Sequence, residues 1–425
     1  MRSAHGLRRV VHVLATNRDV RTIWLVQVLS ETGDWLTRVA VVSHVTNLAG
    51  GSAIVVAAIQ ALMIVPFFVV SPVAGALADR LPRRGVMIAT DAAAALLVLA
   101  YVPLLAAPLT TFTLVLLGAV VFLHLGLAAA FEAARGALLA AVASPEDLPA
   151  VNALAQTTWS ICLALGSALG GWLVATHGTT PTILVDSLTF AAGAALLLRL
   201  RGGRVAATAA AGETGGGLGD ALRYLRAHPT TAALVLPKLA LGFVGMNDLA
   251  FALLGPEELA IPSETTFSRY YVSVGIGTAV GPLVAMSLAR ARPRAMRIAI
   301  AVAFLLEAAI FSGTIGARTL PATVAFAGAA TAGGATIWVF STALLQRAAP
   351  DRLAGRILAL DLGLYTLSVA VSSLVGGALH DVAGLGVRQL FAVTTGVYAT
   401  GGLVWLAAMA ALRRRAWDGD GGRPR

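Results

Sequence analysis

Long apolar runs recur along the whole chain, almost free of charge, each close to the ~20 residues an α-helix needs to cross the hydrocarbon core of a bilayer. Twelve are legible, at residues 22–48, 53–78, 86–106, 111–134, 150–176, 181–201, 231–256, 264–289, 295–316, 320–348, 355–380 and 386–412. Composition agrees: 58% of the residues are hydrophobic and 12% charged, against about 25% charged in a soluble domain. That balance argues against a soluble globular protein. The one cysteine, Cys162, leaves no disulfide framework or thiolate cluster, and no run of His and Cys has metal-ligand spacing. The Arg-rich N-terminus lacks a short apolar stretch ending in a small-residue cleavage site, so no removable signal peptide is read and the first span directs insertion.

A formal charge of +10 would, in a soluble protein, point to nucleic acid. The positions of the charges decide otherwise. Twelve spans put alternate loops on opposite sides of a membrane, and 26 of the 31 basic residues then fall on one side. By the positive-inside rule that side is cytoplasmic and holds both termini, and the basic excess faces anionic headgroups. The expected setting is the cytoplasmic membrane of a bacterium, since 30 arginines against one lysine and heavy alanine use suggest a G+C-rich host. The expected fold is all-α, polytopic, with twelve transmembrane helices in two pseudo-symmetric six-helix bundles. The bundles occupy residues 1–201 and 231–425, the second ending in a short basic tail. Between them, residues 202–230 form a cytoplasmic linker whose Leu218, Leu222 and Leu225 share a helical face, with Arg223 and Arg226 elsewhere, as in a helix lying on the membrane surface.

The halves resemble each other. Residues 71–87 align with 281–297, pairing Pro72 with Pro282 and Arg80 with Arg290. Farther on, residues 144–148 match 349–353, and Gly170-Gly171 match Gly376-Gly377. Three matches in the same order, each at the same place relative to its spans, indicate duplication. Parallel repeats with a substrate site between them near the midplane form a transporter architecture.

At this point the residues carry a family resemblance. Gly75, Leu77, Asp79, Arg80, Arg83 and Arg84 resemble the loop signature between the second and third helices of the major facilitator superfamily, with Pro82 in place of its usual glycine. Within the superfamily the chain is similar to the branch of the macrolide and enterobactin exporters, through Gly33 to Arg38, Asn152-Ala153-Leu154, Leu222 to Leu225, and Leu345-Gln346-Arg347 with Pro350-Asp351. The resemblance implies that Asp79, Arg80, Arg83 and Arg84 lock the halves together on the cytoplasmic side. The second copy keeps Arg290 but has Ala289 where Asp79 stands, which implies a weaker lock there. Two features depart from proton-coupled exporters: Ser167 stands where a proline is usual in the fifth helix, and the fourth span holds His124 and Glu132 with no arginine before Arg135.

Charges inside spans cost roughly 2.5–3.5 kcal/mol each on insertion scales, so each needs a partner, water or a task. At 100° per residue Gln27, Glu31, Asp34 and Arg38 share one side of the first span, a polar stripe expected to line the cavity between halves. Asp34 and Arg38, an acid followed four residues later by a base, can neutralise each other, which leaves Glu31 near mid-membrane without a partner on its own helix. Glu307 reaches a similar depth in the second half. These residues, with His124 and Asp248, are the candidates for proton and substrate binding; His124 reads more readily as a hydrogen-bonded interior histidine than as a proton shuttle. Asp91 and Asp361, close to cytoplasmic ends and within reach of loop arginines, are expected to serve the gate with Gly75, Asp79, Arg80, Arg83 and Arg84. Snorkelling is one reading of Lys238, and Asp186, near an outer end, is expected to be hydrated or hydrogen-bonded. Gly166, Gly170, Gly171, Gly376 and Gly377 supply close helix contacts.

The expected function is export of a small, partly hydrophobic organic molecule by alternating access in exchange for protons. It needs no cofactor beyond a proton gradient, no metal and no nucleic acid, and works as a monomer in the lipid bilayer. The missing fifth-helix proline keeps an importer or facilitator of the same fold open. A membrane sensor or integral membrane enzyme has less support, since no loop is long enough for a domain and no nucleophile and base stand at useful spacing.

Overall fold

A computed structural model describes residues 2–48, 52–70, 81–200, 218–289 and 292–413. Helix accounts for 89%, and there is no strand among the described residues. The helices are α1 (Arg2–Thr16), α2 (Arg18–Leu48), α3 (Ala53–Val69), α4 (Arg83–Ala106), α5 (Thr111–Val142), α6 (Leu148–His177), α7 (Thr179–Leu197), α8 (Leu218–Ala227), α9 (Pro229–Leu259), α10 (Ser263–Ala289), α11 (Pro293–Gly316), α12 (Leu320–Ala348), α13 (Asp351–Asp381) and α14 (Val387–Arg413).

Nine of these, α4 to α7, α9 and α11 to α14, are long and apolar enough to cross a membrane among the described residues, and the chain is a multi-pass membrane protein. Three of the twelve expected spans fall on helices of another kind. The first is α2, 31 residues long but interrupted by Glu31, Asp34 and Arg38. The second is the shorter apolar α3, whose continuation at 71–80 lies outside the described residues. The third is α10, a helix of 27 residues.

The contacts divide the chain into two compact units. One comprises Met1–Gly212 with Phe251–Gly275, the other Glu213–Ala250 with Ile276–Arg425. In the first, α2 packs along α6 and α7, and α4 packs on α5 and α7. Val20, Ile23, Val26, Met87, Leu138 and Leu197 form much of a core at one end of these helices. In the second, α11 packs on α12 and α14 around Ile300, Phe304, Ile337, Phe340 and Leu345. The linker helix α8 belongs to this core, but through Ala221 and Leu225, while Leu222 is 41% exposed.

α1 is clipped to the turn between α5 and α6. Arg9 pairs with Asp147 and lies 3.4 Å from Glu146, and Asn17 both caps α2 through the Val20 N–H (3.0 Å) and donates to the Val142 carbonyl (2.9 Å). Hydrogen bonds from Ser144 and then from Arg9 hold the Asp147 carboxyl below its ordinary value. A depressed carboxyl contributes stability that is present above its unfolded value, about 3.9, and lost as pH falls through the folded one. Amides of residues 8–14, corrected for intrinsic exchange, are accordingly expected to exchange faster at pH 3 than at pH 6; equal protection at both would remove Asp147 from the clip.

Candidate functional site

The polar stripe on α2 forms, and it meets partners from α5, α6 and α7. Gln27, 2% exposed, donates to Glu31 (2.8 Å) and to the Ala155 carbonyl (3.1 Å), while its Oε1 accepts from Arg135 Nη1 (3.0 Å). Arg135 also grips Glu132 with Nε (2.8 Å) and Nη2. A continuous chain thus runs Glu31–Gln27–Arg135–Glu132, leaving Glu31 Oε2 buried with no hydrogen-bond partner among the described residues. A small cavity of about 10 Å³, lined by Trp24, Gln27, Leu139 and Leu154 among others, opens beside Gln27. That is room for about one water molecule and none for an organic cargo.

One turn farther along α2, Asp34 Oδ1 lies 3.2 Å from His124 Nε2 on α5, close enough for an ion pair although not aligned as a hydrogen bond. His124 Nδ1 is 3.3 Å from the Tyr101 hydroxyl, and the Tyr101 and Phe190 rings meet the imidazole edge-on. The Arg38 guanidinium lies over Trp35 and Tyr271, 5.2 and 5.5 Å from the ring centres. Asp186 is fully buried and accepts from Thr37 (2.5 Å) and Thr189 (3.2 Å). Asp91 accepts from Ser30 (3.3 Å). Unpaired buried charge is expensive, which accounts for the hydroxyl donors at Asp186 and Asp91.

Two of these acids are seated on glycines. A Cβ at Gly33 would collide with the Asp186 carboxylate and the Thr189 hydroxyl, and one at Gly193 would stand 2.6 Å from Asp91 Oδ2.

The second unit carries its own buried polar groups. Glu307 on α11, 5% exposed, rests against α12, where a Cβ at Gly334 would stand 2.8 Å from its Oε1. Its Oε2 has no hydrogen-bond partner among the described residues. Asp248 is 6% exposed beside Asn247, which donates to the Tyr398 hydroxyl (3.1 Å). Lys238 on α9 pairs with Asp361 on α13 and donates to Thr342 on α12 (2.9 Å), its ammonium 4.1 Å from the centre of the Trp338 ring.

Several expectations are corrected here. Lys238 does not snorkel; it is 2% exposed, because a carboxylate, a hydroxyl and an indole face replace its water. Asp361 meets that lysine in place of a loop arginine, and Asp91 meets Ser30. Of the two settings expected for Asp186, the hydrogen-bonded one is found, with Thr37 and Thr189 as donors. Arg135 is no loop residue: α5 runs eight residues past the expected end, to Val142, and carries it into the buried network. Arg83 donates to the Ala137 carbonyl (3.0 Å), and Arg84 to those of Leu197 (3.0 Å) and Leu198 (2.8 Å), so both serve helix ends within the first unit. Gly75, Asp79 and Arg80 lie outside the described residues.

The five packing glycines are all buried in helices. A Cβ at Gly166 would meet Trp35 Cβ at 2.8 Å, one at Gly170 would meet Leu36 Cα at 3.1 Å, and one at Gly376 would meet Met246 Cγ at 3.0 Å; Gly171 faces Ser268.

Comparison with known proteins places this geometry. A family model described as transmembrane secretion effector matches residues 15–418. No curated protein sequence matches significantly. Among solved structures, a bacterial homologue of the iron transporter ferroportin in an inward-facing state is 16% identical with a TM-score of 0.68, covering 92% of this chain and 98% of that one. The nucleoside transporter NupG is 12% identical, TM-score 0.68, covering 92% and 99%. A POT family transporter in complex with a thioalcohol-conjugated peptide is 11% identical, TM-score 0.69, covering 93% and 96%. At such identities these likenesses establish the fold.

Proposed function

Because the chain belongs to the transmembrane secretion effector family and is a membrane transporter of the major facilitator fold, we propose that it exports a small, partly hydrophobic organic molecule in exchange for protons. The observation that carries this reading is the buried acid network of α2: Glu31 tied through Gln27 to Arg135 and Glu132, and Asp34 against His124. Carboxyls on one helix face, one hydrogen-bonded by an amide and one set against an imidazole, supply what coupling requires, a group whose charge costs much when dry and little when wet. Glu307 is the corresponding carboxyl of the second unit.

Cargo and proton compete in this scheme: protonation discharges the cluster, and loss of the proton restores the charge that draws a cationic or polarised cargo. We place the protein in the bacterial cytoplasmic membrane with both termini inside, working as a monomer without a cofactor. The loop with Asp79 and Arg80 serves as its cytoplasmic gate.

Everted vesicles energised by a pH gradient test this. Glu31→Gln and Glu307→Gln are expected to abolish gradient-driven uptake while leaving gradient-free exchange of cargo measurable. Unchanged uptake in both variants would remove these acids from coupling. A second reading, an importer or facilitator of the same fold, is favoured by Ser167 at the usual proline position. Expressing cells would then accumulate more of the compound rather than less.

A further inference from the structure

Within the second unit, the surroundings of Lys238 have the composition of a binding site for an ammonium ion. A carboxylate oxygen of Asp361, the Thr342 hydroxyl at 2.9 Å and the face of Trp338 at 4.1 Å converge on the lysine nitrogen, and Tyr365 packs edge-on against that indole at 4.9 Å. Carboxylate, hydroxyl and aromatic face are the groups that recognise organic ammonium ligands. As a structural ion pair the arrangement is poor. Both charges are taken out of water, and Asp361 Oδ1 is buried with no hydrogen-bond partner among the described residues. Apolar residues of the same volume would commonly serve stability as well or better.

Two further observations mark the place. Lys238 is the one lysine in a chain with 30 arginines. Arginine stays protonated in proteins and grips a carboxylate with a two-pronged fork, whereas lysine is a point charge that can give up its proton. In addition, α9 is interrupted on both sides of this residue, by turns at 234–235 and 242–243, with Pro237 between them. The carbonyls that the breaks expose are held from α13, Ser368 donating to Leu239 (2.7 Å) and Ser372 to Gly242 (2.8 Å). Non-helical backbone at membrane depth is tolerated where protein satisfies it, and interrupted helices mark the binding sites of transporters.

We propose that Lys238 is a tethered occupant of a site for the amino group of the cargo, and that Asp361, Thr342 and Trp338 bind a primary ammonium carrying an apolar or aromatic body once Lys238 withdraws. The exchange balances. Lys238 releases one proton to water and becomes a neutral amine, and one cargo ammonium takes its place on Asp361, so the charge of the site is unchanged. Asp361 from α13 is the charged group that faces the lysine among the described residues, Thr342 and Trp338 come from α12, and α14 meets this stretch of α9 through Gly401 against Ala240. Glu307 on α11 turns to Gly333 and Gly334. The proposal deepens the exporter reading, on which it rests for its purpose, by naming an amine as cargo and one cation for one proton as the exchange.

The test is equilibrium binding of phenethylammonium, with 2-phenylethanol as its uncharged counterpart, to the purified full-length chain in detergent without any gradient. In the wild type, affinity for the ammonium is expected to rise up to about tenfold per pH unit while a proton must leave, and the alcohol to show no such slope. Lys238→Met removes the competitor: binding tightens at least about tenfold and loses its pH slope. Lys238→Arg keeps the ion pair and the fold but cannot vacate, so binding is lost, and Asp361→Asn loses it as well. A purely structural pair gives the opposite pattern, with Lys238→Arg binding like the wild type. That result overturns the proposal, as does a Lys238→Met protein that binds no more tightly. If Lys238→Met fails to fold, Lys238→Arg alone decides. Because no gradient is applied, failure here leaves proton-driven export standing, and failure of the vesicle experiment leaves this site standing.

Discussion

Gly33→Ala is expected to destabilise the protein by about 3 kcal/mol or more, well beyond an ordinary alanine exchange in a helix. Glycine is normally the weaker helix former, and exchanging it for alanine in a helix interior gains roughly 0.5–1 kcal/mol. Here the sign reverses because of what lies opposite. The added methyl would enter the space of the Asp186 carboxylate and the Thr189 hydroxyl. Asp186 is held by the hydroxyls of Thr37 and Thr189, and a carboxylate pushed off its donors at zero exposure has no water to fall back on. Two costs therefore add, the overpacking itself and the loss of hydrogen bonds to a buried charge.

The protein carries its own reporter for this measurement. Cys162, the one cysteine in the sequence, is 2% exposed, so a thiol-reactive dye registers unfolding as the core of the first unit opens. The midpoint for Gly33→Ala should fall far below that of Gly136→Ala, where a Cβ meets nothing within 4 Å. Trimming the neighbour should rescue it: Gly33→Ala with Asp186→Ala is expected to be more stable than Gly33→Ala alone. Two independent, additive losses would show that the methyl and the carboxylate do not meet.

Why the sequence reveals Glu31, Asp34 and Glu307 but hides Arg135 and Asp186 follows from the same physics. A carboxylate in the middle of an apolar run stands out against its neighbours, and the 3.6-residue period places it on a face without further knowledge. Arg135 sits where the apolar run thins, and a span boundary drawn at the last apolar stretch puts it in a loop. The helix continues because Gly136, Ala137, Leu138 and Leu139 carry it on, and Leu138 and Leu139 are buried in the core. Asp186 lies near the start of its span, where water and a hydrogen-bond donor are both open as partners; the donor it finds is Thr37, 149 residues away. The one local hint is Gly33 four residues before Thr37, a missing side chain followed one turn later by a hydroxyl. Lys238 and Asp361 are 123 residues apart, and no periodicity within either helix announces their pairing. Glycine spacing was legible as close packing, but which glycines seat a carboxylate depends on the neighbouring helix.

Arg135→Lys should be the most damaging charge-conserving change in the first unit for transport, although the protein folds. The guanidinium makes three connections at once, Nε and Nη2 to Glu132 and Nη1 to Gln27 Oε1 at 3.0 Å. A lysine ammonium is a point donor on a flexible stem and cannot reproduce a planar fork that also reaches a third group. Whichever acceptor it keeps, the other is released. Glu132, 38% exposed at its side chain, can turn to water at little cost, which is why folding survives. Gln27, 2% exposed, cannot, and its amide is what orients the Glu31 carboxyl through the 2.8 Å hydrogen bond. Hydrogen bonds to charged groups contribute about 1.5–3 kcal/mol, so losing the one that fixes Gln27 should slow gradient-driven flux by roughly ten- to a hundredfold. The accompanying signature is a displaced pH profile of flux in everted vesicles, because the pH at which Glu31 exchanges its proton follows the hydrogen bonds and charges around its carboxyl. Gln27→Leu should displace the profile in the same way, and the double variant should add nothing to either, since both cut one chain. Were Arg135→Lys to keep both the wild-type rate and the wild-type profile, the Glu31–Gln27–Arg135 link would be scaffolding, and coupling would have to be sought at Asp34 and His124 instead.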